Sequence, residues 1–222
     1  MTTETTAPAQ PPCRDLFERM PPLLLIERFR TGSNHLDRRV LDLPPEPLHR
    51  TFDGSELDDA GQPLRLGSWS AQTLLGHLAD AELVFAHRMR RIVAEDGPTL
   101  SPFDEHAFID AGLYDPTDRG LGGPAPGGFP GGKPVAGFVA VIHTTRLFMG
   151  QFLATLTDEQ LARTGLHPHD GPTSVRDILN YAAWHLEHHA FFLNAKLDFM
   201  LGSAQPDAGG PSRGCGPGCG CH

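Results

Sequence analysis

Four stretches of the chain repeat their hydrophobic residues at the spacing of an α-helix. The first runs from Leu23 to about Leu43 and stops at the proline pair that begins with Pro44. The second follows Ser70, a residue type that caps helix N-termini, and continues to near Gly97. Both stretches are long enough to cross a whole domain, and both predict amphipathic helices.

The other two stretches complete the pattern. A third apolar stripe runs from Phe138 to Leu156, and Thr157 then starts a short capped turn. The fourth stripe begins at Ser174, in a sequence typical of a capping box, and ends at Gly202. No segment alternates hydrophobic and polar residues for long enough to predict a strand. The pattern predicts an all-α fold, a four-helix bundle whose connections are long enough to cross over one another.

Glycine and proline divide the 222 residues into segments. The 25 glycines and 21 prolines are concentrated at the two ends and between the second and third stripes. We therefore expect a disordered N-terminal tail over residues 1–22, one bundle domain over residues 23–201 and a flexible tail over residues 202–222. The long Gly/Pro-rich loop between Gly112 and Pro134 is either disordered or a mobile cover over a site.

The charge balance excludes two classes of partner. With 18 Lys and Arg against 27 Asp and Glu, the formal net charge is −9, which repels nucleic acid and anionic membrane surfaces. No apolar run approaches the roughly 20 residues of a membrane span, and the first residues do not resemble a secretory signal. These observations predict a cytoplasmic protein that binds neither nucleic acid nor membrane.

Histidines fall on the inner faces of two predicted helices. At 100° per residue, His77 faces inward beside Leu74, and both His185 and His189 face the core of the fourth helix, whereas His188 lies at the edge of that face. An i, i+4 histidine pair on one helix can bind a single ion, and a third histidine from a neighbouring helix completes the set. The sequence thus predicts that three imidazoles converge.

Three protein ligands are the number found in catalytic zinc sites, where the fourth position is open to water or substrate. Neutral ligands leave the ion its full charge, which lowers the pKa of bound water and stabilises a bound thiolate. Two alternatives stay open on the residues alone. His188 is a possible i, i+3 partner of His185 in place of His189, and all of these histidines can instead be half-buried core residues hydrogen-bonded to neighbours.

Two pairs of short motifs carry a family resemblance. Trp69 and Ser70 lead into residues 75–82 (LGHLADAE), and residues 175–179 (VRDIL) lead into residues 184–189 (WHLEHH). In this order and helical context they resemble the DinB/YfiT-like metalloenzyme family. The resemblance covers roughly residues 23–201. It implies an up-down-down-up bundle, often dimeric, with one divalent ion, zinc or nickel, on a triad that becomes His77, His185 and His189.

The resemblance also implies an activity. Family members include bacillithiol S-transferases and related thiol-dependent enzymes, so we expect either a small-molecule thiol or water to be activated against an electrophile. Asp104 and Glu105 stand where such proteins carry pocket-lining residues and are candidate proton acceptors, although an acidic loop is often simply solvated. Asp80 and Glu82 are candidates to orient a histidine ligand, or ordinary surface carboxylates.

The last residues form a separate candidate site. Cys215, Cys219, Cys221 and His222 lie within eight residues of the C-terminus, and thiolates with an imidazole suit zinc or Cu(I). This tail supports a second hypothesis, a non-enzymatic metal-handling protein, against the alternative of a disordered, redox-exposed tail. A third hypothesis, a helical interaction domain with packed histidines, leaves the inward convergence of the histidines unexplained.

Overall fold

A computed structural model of the protein describes residues 10–58, 60–114 and 134–202. Its helices and strands are α1 (Asp15–Glu18), α2 (Pro22–Thr31), α3 (Pro45–His49), α4 (Ala71–Ala94), α5 (Glu105–Asp110), α6 (Pro134–Leu153), α7 (Asp158–Leu161), β1 (Thr164–His167), β2 (Gly171–Ser174) and α8 (Val175–Leu201). Every helix in these residues is too short or too polar to cross a lipid bilayer. The four longest helices, α2, α4, α6 and α8, form the bundle.

The order of these helices around the bundle is α2, α6, α4, α8, since α2 and α4 each pack against both α6 and α8. Their directions follow from side-chain contacts. Glu82 pairs with Arg146, and Arg90 eight residues further along α4 stacks on Phe152 further along α6, so these two helices are parallel. Helix α8 runs the opposite way to α4, because His77 meets His189 whereas Phe85, eight residues further along α4, meets Tyr181, eight residues earlier in α8.

Helix α2 runs parallel to α8. Arg28 bonds to Glu187, and Asp37, beyond the end of α2, bonds to Asn194 further along α8. The topology is therefore up-down-down-up, and the predicted four-helix bundle is confirmed. Helices α2 and α4 are the first two bundle helices along the chain, but they occupy diagonal corners of the bundle. A long connection is therefore needed between them.

Helix caps lie where the sequence predicted them. The Ser70 hydroxyl accepts a hydrogen bond from Thr73 N and starts α4, and Thr157 starts α7 with a complete capping box. Ser174 and Asp177 form a second complete capping box at the start of α8, which ends at Gly202 with a positive φ of 80°. These local signals fix where α8 starts and ends, and so which residues belong to this helix.

The predicted first helix is too long. The α-helix ends at Thr31, and two 3₁₀ turns over Gly32–His35 and Arg38–Asp42 follow in place of the expected helix to Leu43. A Cβ at Gly32 would lie 2.3 Å from Nη1 of Arg146, so the close approach of that side chain requires glycine. The glycine and the polar residues after it also favour tight turns over a continued α-helix.

The N-terminal segment is not wholly a disordered tail, contrary to expectation. From residue 10 onward it packs against the bundle, with Phe17 of α1 fully buried in the core. Trp184 Nε1 donates to Pro12 O at 2.9 Å, and Arg176 donates to Met20 O at 2.7 Å. Residues 10–22 therefore form part of the folded domain, with α1 packed against α8.

A small antiparallel hairpin was also missed. Strands β1 and β2 pair Thr164 with Ser174 and His167 with Gly171, directly before α8. Four residues per strand are too few for an alternating pattern to be recognised. Of the Gly/Pro-rich loop, residues 115–133 lie outside the described residues, and so does the C-terminal tail from residue 203.

Candidate metal centre

Three histidines meet between α4 and α8. His77 comes from the second turn of α4, and His185 and His189 come from adjacent turns of α8. One nitrogen from each ring lies within 4.8 Å of the others, and Nε2 of His77 is 3.0 Å from Nε2 of His185. The ring centroids of His185 and His189 are 4.6 Å apart. The predicted convergence of these three side chains is what the structure shows.

His188 does not join this triad. Its ring packs against Trp184, with centroids 4.7 Å apart, and against Phe192 at 5.1 Å. Three residues on from His185 the helix has turned about 60° short of a full turn, whereas four residues bring His189 back to the same face. Within the described ranges, the His77, His185 and His189 triad is the sole cluster of three or more ligating groups.

Burial keeps the triad neutral. It lowers the pKa of His77 to about 4 and that of His189 to about 3, and it holds the pKa of His185 well below its ordinary value. Mutual repulsion between the rings adds to the effect at His185 and His189. At neutral pH each ring therefore has a nitrogen lone pair available to a metal ion, with no proton to displace.

The donor set fits a divalent metal. Two nitrogens bound about 2.1 Å from one ion are separated by roughly 3.0 to 3.4 Å, the range in which the His77 and His185 Nε2 atoms lie. Three imidazoles suit zinc, nickel, copper or iron. The described residues bring no fourth protein ligand to this cluster, as expected of a site that keeps one position open.

Aromatic side chains pack against the three rings. Trp69 stacks on His189 at an interplanar angle of 12°, Phe103 stacks on His77 at 17° and Tyr181 stacks on His185 at 25°. Among the described residues, Nδ1 of His77 and Nδ1 of His185 have no hydrogen-bond partner. Ring packing therefore takes the orienting role that hydrogen bonds to the second nitrogen often have.

The triad faces a cavity of about 710 Å³. Ala81, Phe85, Ile178 and Tyr181 give part of its wall an apolar and aromatic surface. Charged and polar residues also line it: Arg14, Arg88, Glu105, His167, His169, Asp170 and Asp177. A volume of this size holds a small organic molecule.

The two predicted proton acceptors have different positions. Glu105 lines the cavity, and its charge acts to raise the pKa of His77 against the effect of burial. Asp104 instead caps α5, where its carboxylate accepts a hydrogen bond from Ala107 N at 3.1 Å. The structure therefore brings Glu105 to the triad's cavity and gives Asp104 a local structural role.

The second pair of carboxylates does not orient the histidines. Glu82 is fully buried in an ion pair with Arg146 at 2.6 Å, because its position on α4 points it toward α6. Asp80 lies close to Tyr114, and its charge, together with burial, raises the pKa of that tyrosine. The expected carboxylate contact to a ligand histidine is therefore wrong for Glu82.

Sequence reasoning missed several residues of the cavity. Tyr181 and Arg88 were detectable in principle, because each continues a helical stripe that contains a triad histidine: Tyr181 is four residues before His185, and Arg88 is eleven residues after His77. Arg14 and the hairpin residue His167 had no local signal, since their positions depend on how their segments pack against α8. The candidate tail site, Cys215, Cys219, Cys221 and His222, lies outside the described residues.

Comparison with known proteins agrees with this architecture. The family model of the DinB superfamily matches residues 26–191, and the chain belongs to this superfamily. The solved structure of YfiT from Bacillus subtilis, described as "a probable metal-dependent hydrolase with an unusual four-helix bundle topology", aligns with a TM-score of 0.60 and 19% identity. The alignment covers 90% of this chain and 95% of that structure.

Two curated relatives extend the comparison. A protein of Oceanobacillus iheyensis is 25% identical over 178 residues, which cover 80% of this chain and 86% of the relative. The YfiT sequence of Bacillus subtilis is 24% identical over 155 residues, 68% of this chain and 76% of the relative. Both carry the name "putative metal-dependent hydrolase".

Proposed function

We propose that the protein binds one divalent metal ion, zinc or nickel, through His77, His185 and His189 and acts as a metal-dependent enzyme on a small molecule. One observation carries this proposal: three neutral imidazoles converge at the wall of a cavity of about 710 Å³. A purely structural cluster would gain nothing from an adjoining cavity. The names of the relatives, which all refer to metal-dependent hydrolysis, support the same class of function.

The nucleophile is a low-molecular-weight thiol or water. A divalent ion bound to neutral ligands would lower the pKa of either one and so raise the fraction of thiolate or hydroxide at neutral pH. The chain supplies the rest of the site. The aromatic walls hold the apolar part of the substrate, and the Glu105 carboxylate, which lines the same cavity, accepts the proton released by the nucleophile.

Metal content tests the first part of the proposal. Protein purified without a histidine tag is expected to hold one divalent ion per chain by elemental analysis, and His77→Ala is expected to lose it. His188→Ala is the matched control, because this neighbouring histidine lies outside the triad. A chain truncated after Gly202 is expected to keep the ion. Loss of the ion on truncation alone would contradict the triad proposal and favour metal handling by the cysteine tail.

Activity tests the second part. Metal-loaded protein is assayed against activated esters and against alkyl halides, each with and without a panel of low-molecular-weight thiols that includes bacillithiol. Turnover only with thiol assigns a transferase, and turnover without thiol assigns a hydrolase. Glu105→Gln is expected to lower kcat by about 100-fold with metal content unchanged, as for loss of a general base. Asp104→Asn is the control, and inactivity of the loaded wild type in every assay would contradict the enzyme proposal.

A further inference from the structure

The cavity contains an arginine that the metal chemistry does not use. Arg88 lies on the same stripe of α4 as His77, eleven residues further on, which is about 16 Å along the helix axis. Both residues line one cavity, with Ala81, Phe85 and Tyr181 along its walls. The cavity therefore extends along α4 from the triad to Arg88, with the apolar residues Ala81 and Phe85 between them.

Arg88 differs from the other arginine of the cavity in having no ion pair. Arg14 bonds to Glu18 at 3.1 Å. The Arg88 Nε and Nη2 atoms both donate to a single backbone carbonyl, that of Ser101, at 3.2 and 2.6 Å. No carboxylate of the described residues lies within 4.0 Å of its guanidinium. Its Nη1 group is thus available to an anion.

The surroundings of Arg88 do not compensate its charge. Burial lowers the pKa of Arg88, and the charges of Asp170 and Tyr181 offset this only in part. Four arginines that have carboxylate partners show the opposite shift, with a raised pKa: Arg28, Arg30, Arg39 and Arg91. Asp170 is close enough for its charge to act on Arg88, but its Oδ2 lies 2.8 Å from His167 Nδ1.

From this geometry we infer that Arg88 binds a carboxylate at the far end of an elongated, largely apolar substrate whose reacting end lies at the triad. A guanidinium recognises a carboxylate through paired, charge-assisted hydrogen bonds, and the aromatic walls fit the apolar part of such a molecule. The inference rests on the proposed function for the position of the reacting end. The carboxylate belongs to either the thiol or the electrophile, and the experiment distinguishes the two.

The test compares two probes of equal length, 8-mercaptooctanoate and 8-mercapto-1-octanol. Both tryptophans of the chain, Trp69 and Trp184, line the cavity, so tryptophan fluorescence of the metal-free protein reports binding without any metal. We expect the acid to bind about tenfold more tightly than the alcohol, as for one charge-assisted hydrogen-bonded pair. Arg88→Gln should abolish this preference, and Arg88→Lys should retain part of it.

Arg90→Gln is the matched control. It removes the same charge from the same helix, but Arg90 is exposed and stacks on Phe148 and Phe152 outside the cavity. Equal affinities for acid and alcohol in the wild type, or a preference that survives Arg88→Gln, would overturn the inference. A preference lost equally in Arg90→Gln would also overturn it, because the effect would then be one of overall charge.

Cobalt(II)-loaded protein gives the second readout, the cobalt–thiolate absorption band. If the acid both binds more tightly and forms this band more readily than the alcohol, the carboxylate belongs to the thiol. If the acid is preferred in fluorescence but forms no stronger band, the carboxylate belongs to the electrophile. Failure to bind cobalt at all would count against the proposed function, while the fluorescence preference would still decide the role of Arg88.

Discussion

Two buried polar clusters share the same helices but differ in how their polar atoms are satisfied. In the first, Arg146 of α6 donates to the Glu82 carboxylate, to Phe29 O and to Ala182 O at distances of 2.6 to 2.8 Å. It thereby connects all four helices of the bundle. Its side chain has no exposed surface, and it separates the two apolar clusters of the core.

The second cluster is the histidine triad. Its rings are neutral, and two of its nitrogens have no partner within the described part of the chain. A buried polar group without a hydrogen-bond partner lowers stability. The Arg146 cluster has nearly all of its hydrogen bonds, whereas the triad lacks partners for two nitrogens, and this difference indicates different roles. The first cluster stabilises the bundle, and the second is arranged for a ligand.

The largest expected effect is on the Arg146 cluster. Arg146→Met leaves the Glu82 carboxylate buried without its partner, and we expect the free energy of unfolding to fall by about 3 to 5 kcal/mol. Urea denaturation of the metal-free protein measures this. The double variant with Glu82→Leu should recover part of the loss, because it removes the unpaired charge. A loss below about 1 kcal/mol would mean that the pair does not stabilise the fold.

The next largest effect is expected in the triad, where a substitution should weaken metal binding but hardly change the free energy of unfolding. His185→Leu is expected to weaken metal binding by more than about 100-fold, beyond the range typical of residues that only support a ligand. The metal-free protein should change in stability by less than about 1 kcal/mol, because removal of the unpartnered Nδ1 of His185 offsets loss of the contact between its Nε2 and Nε2 of His77. Metal titration and urea denaturation measure the two quantities. His188→Leu should retain metal, and equal weakening there would contradict the assignment of ligands.

A pH dependence also distinguishes the clusters. The folded pKa values of His77 and His189, about 4 and about 3, lie below the ordinary value of 6.5 expected in the unfolded chain. Below pH 6.5 the unfolded chain therefore binds more protons than the folded one, and stability falls until these folded pKa values are reached.

The slope is up to about 1.4 kcal/mol per pH unit for each group. Urea denaturation of metal-free protein between pH 7 and pH 5 measures it, and His77→Leu should reduce it by the share of one group. An unchanged slope in that variant would show that the loss of stability has another source.

The smallest expected effect is a loss of stability that involves both clusters equally. Ser174→Ala removes the cap of α8, the helix that contacts Arg146 and carries two triad histidines, and should lower stability by about 1 kcal/mol. Metal affinity should not change, because the cap is eleven residues from His185 and does not position its ring. Thr157→Ala, at the capping box of the short helix α7, is the comparison variant. A weaker metal affinity in Ser174→Ala alone would mean that the start of α8 sets the geometry of the site.

Periodicity predicted burial more reliably than it predicted helix type. Leu36, Val40 and Leu43, which extended the first predicted helix, are all buried as their spacing indicated. They nevertheless follow or lie in 3₁₀ turns, because Gly32 admits Arg146 from a helix more than a hundred residues away. Hydrophobic spacing reports which side chains face the core, and it does not identify the hydrogen bonds of the backbone between them.

In the site, too, some features were predictable from the sequence and others were not. The i, i+4 spacing of His185 and His189, and the inward face of His77, follow from helix geometry and were predictable from the sequence. The pairing of Glu82 with Arg146 was not, because it joins residues on different helices whose packing no local signal encodes. Sequence reasoning offered two roles for Glu82, orienting a histidine ligand or lying on the surface, and neither is its role in the structure, although its place on α4 was correct.

Local rules were sufficient for the capped starts of α4, α7 and α8, the stripe of each long helix and the three histidines on the inner faces, because capping and a turn of 100° per residue act within one segment. Packing between segments decided the rest. It carried Arg14 and the β-hairpin to the cavity, left Arg88 without a carboxylate partner and completed the bonds of Arg146. These features depend on contacts between residues far apart in the chain, and such contacts exist only once the helices have assembled.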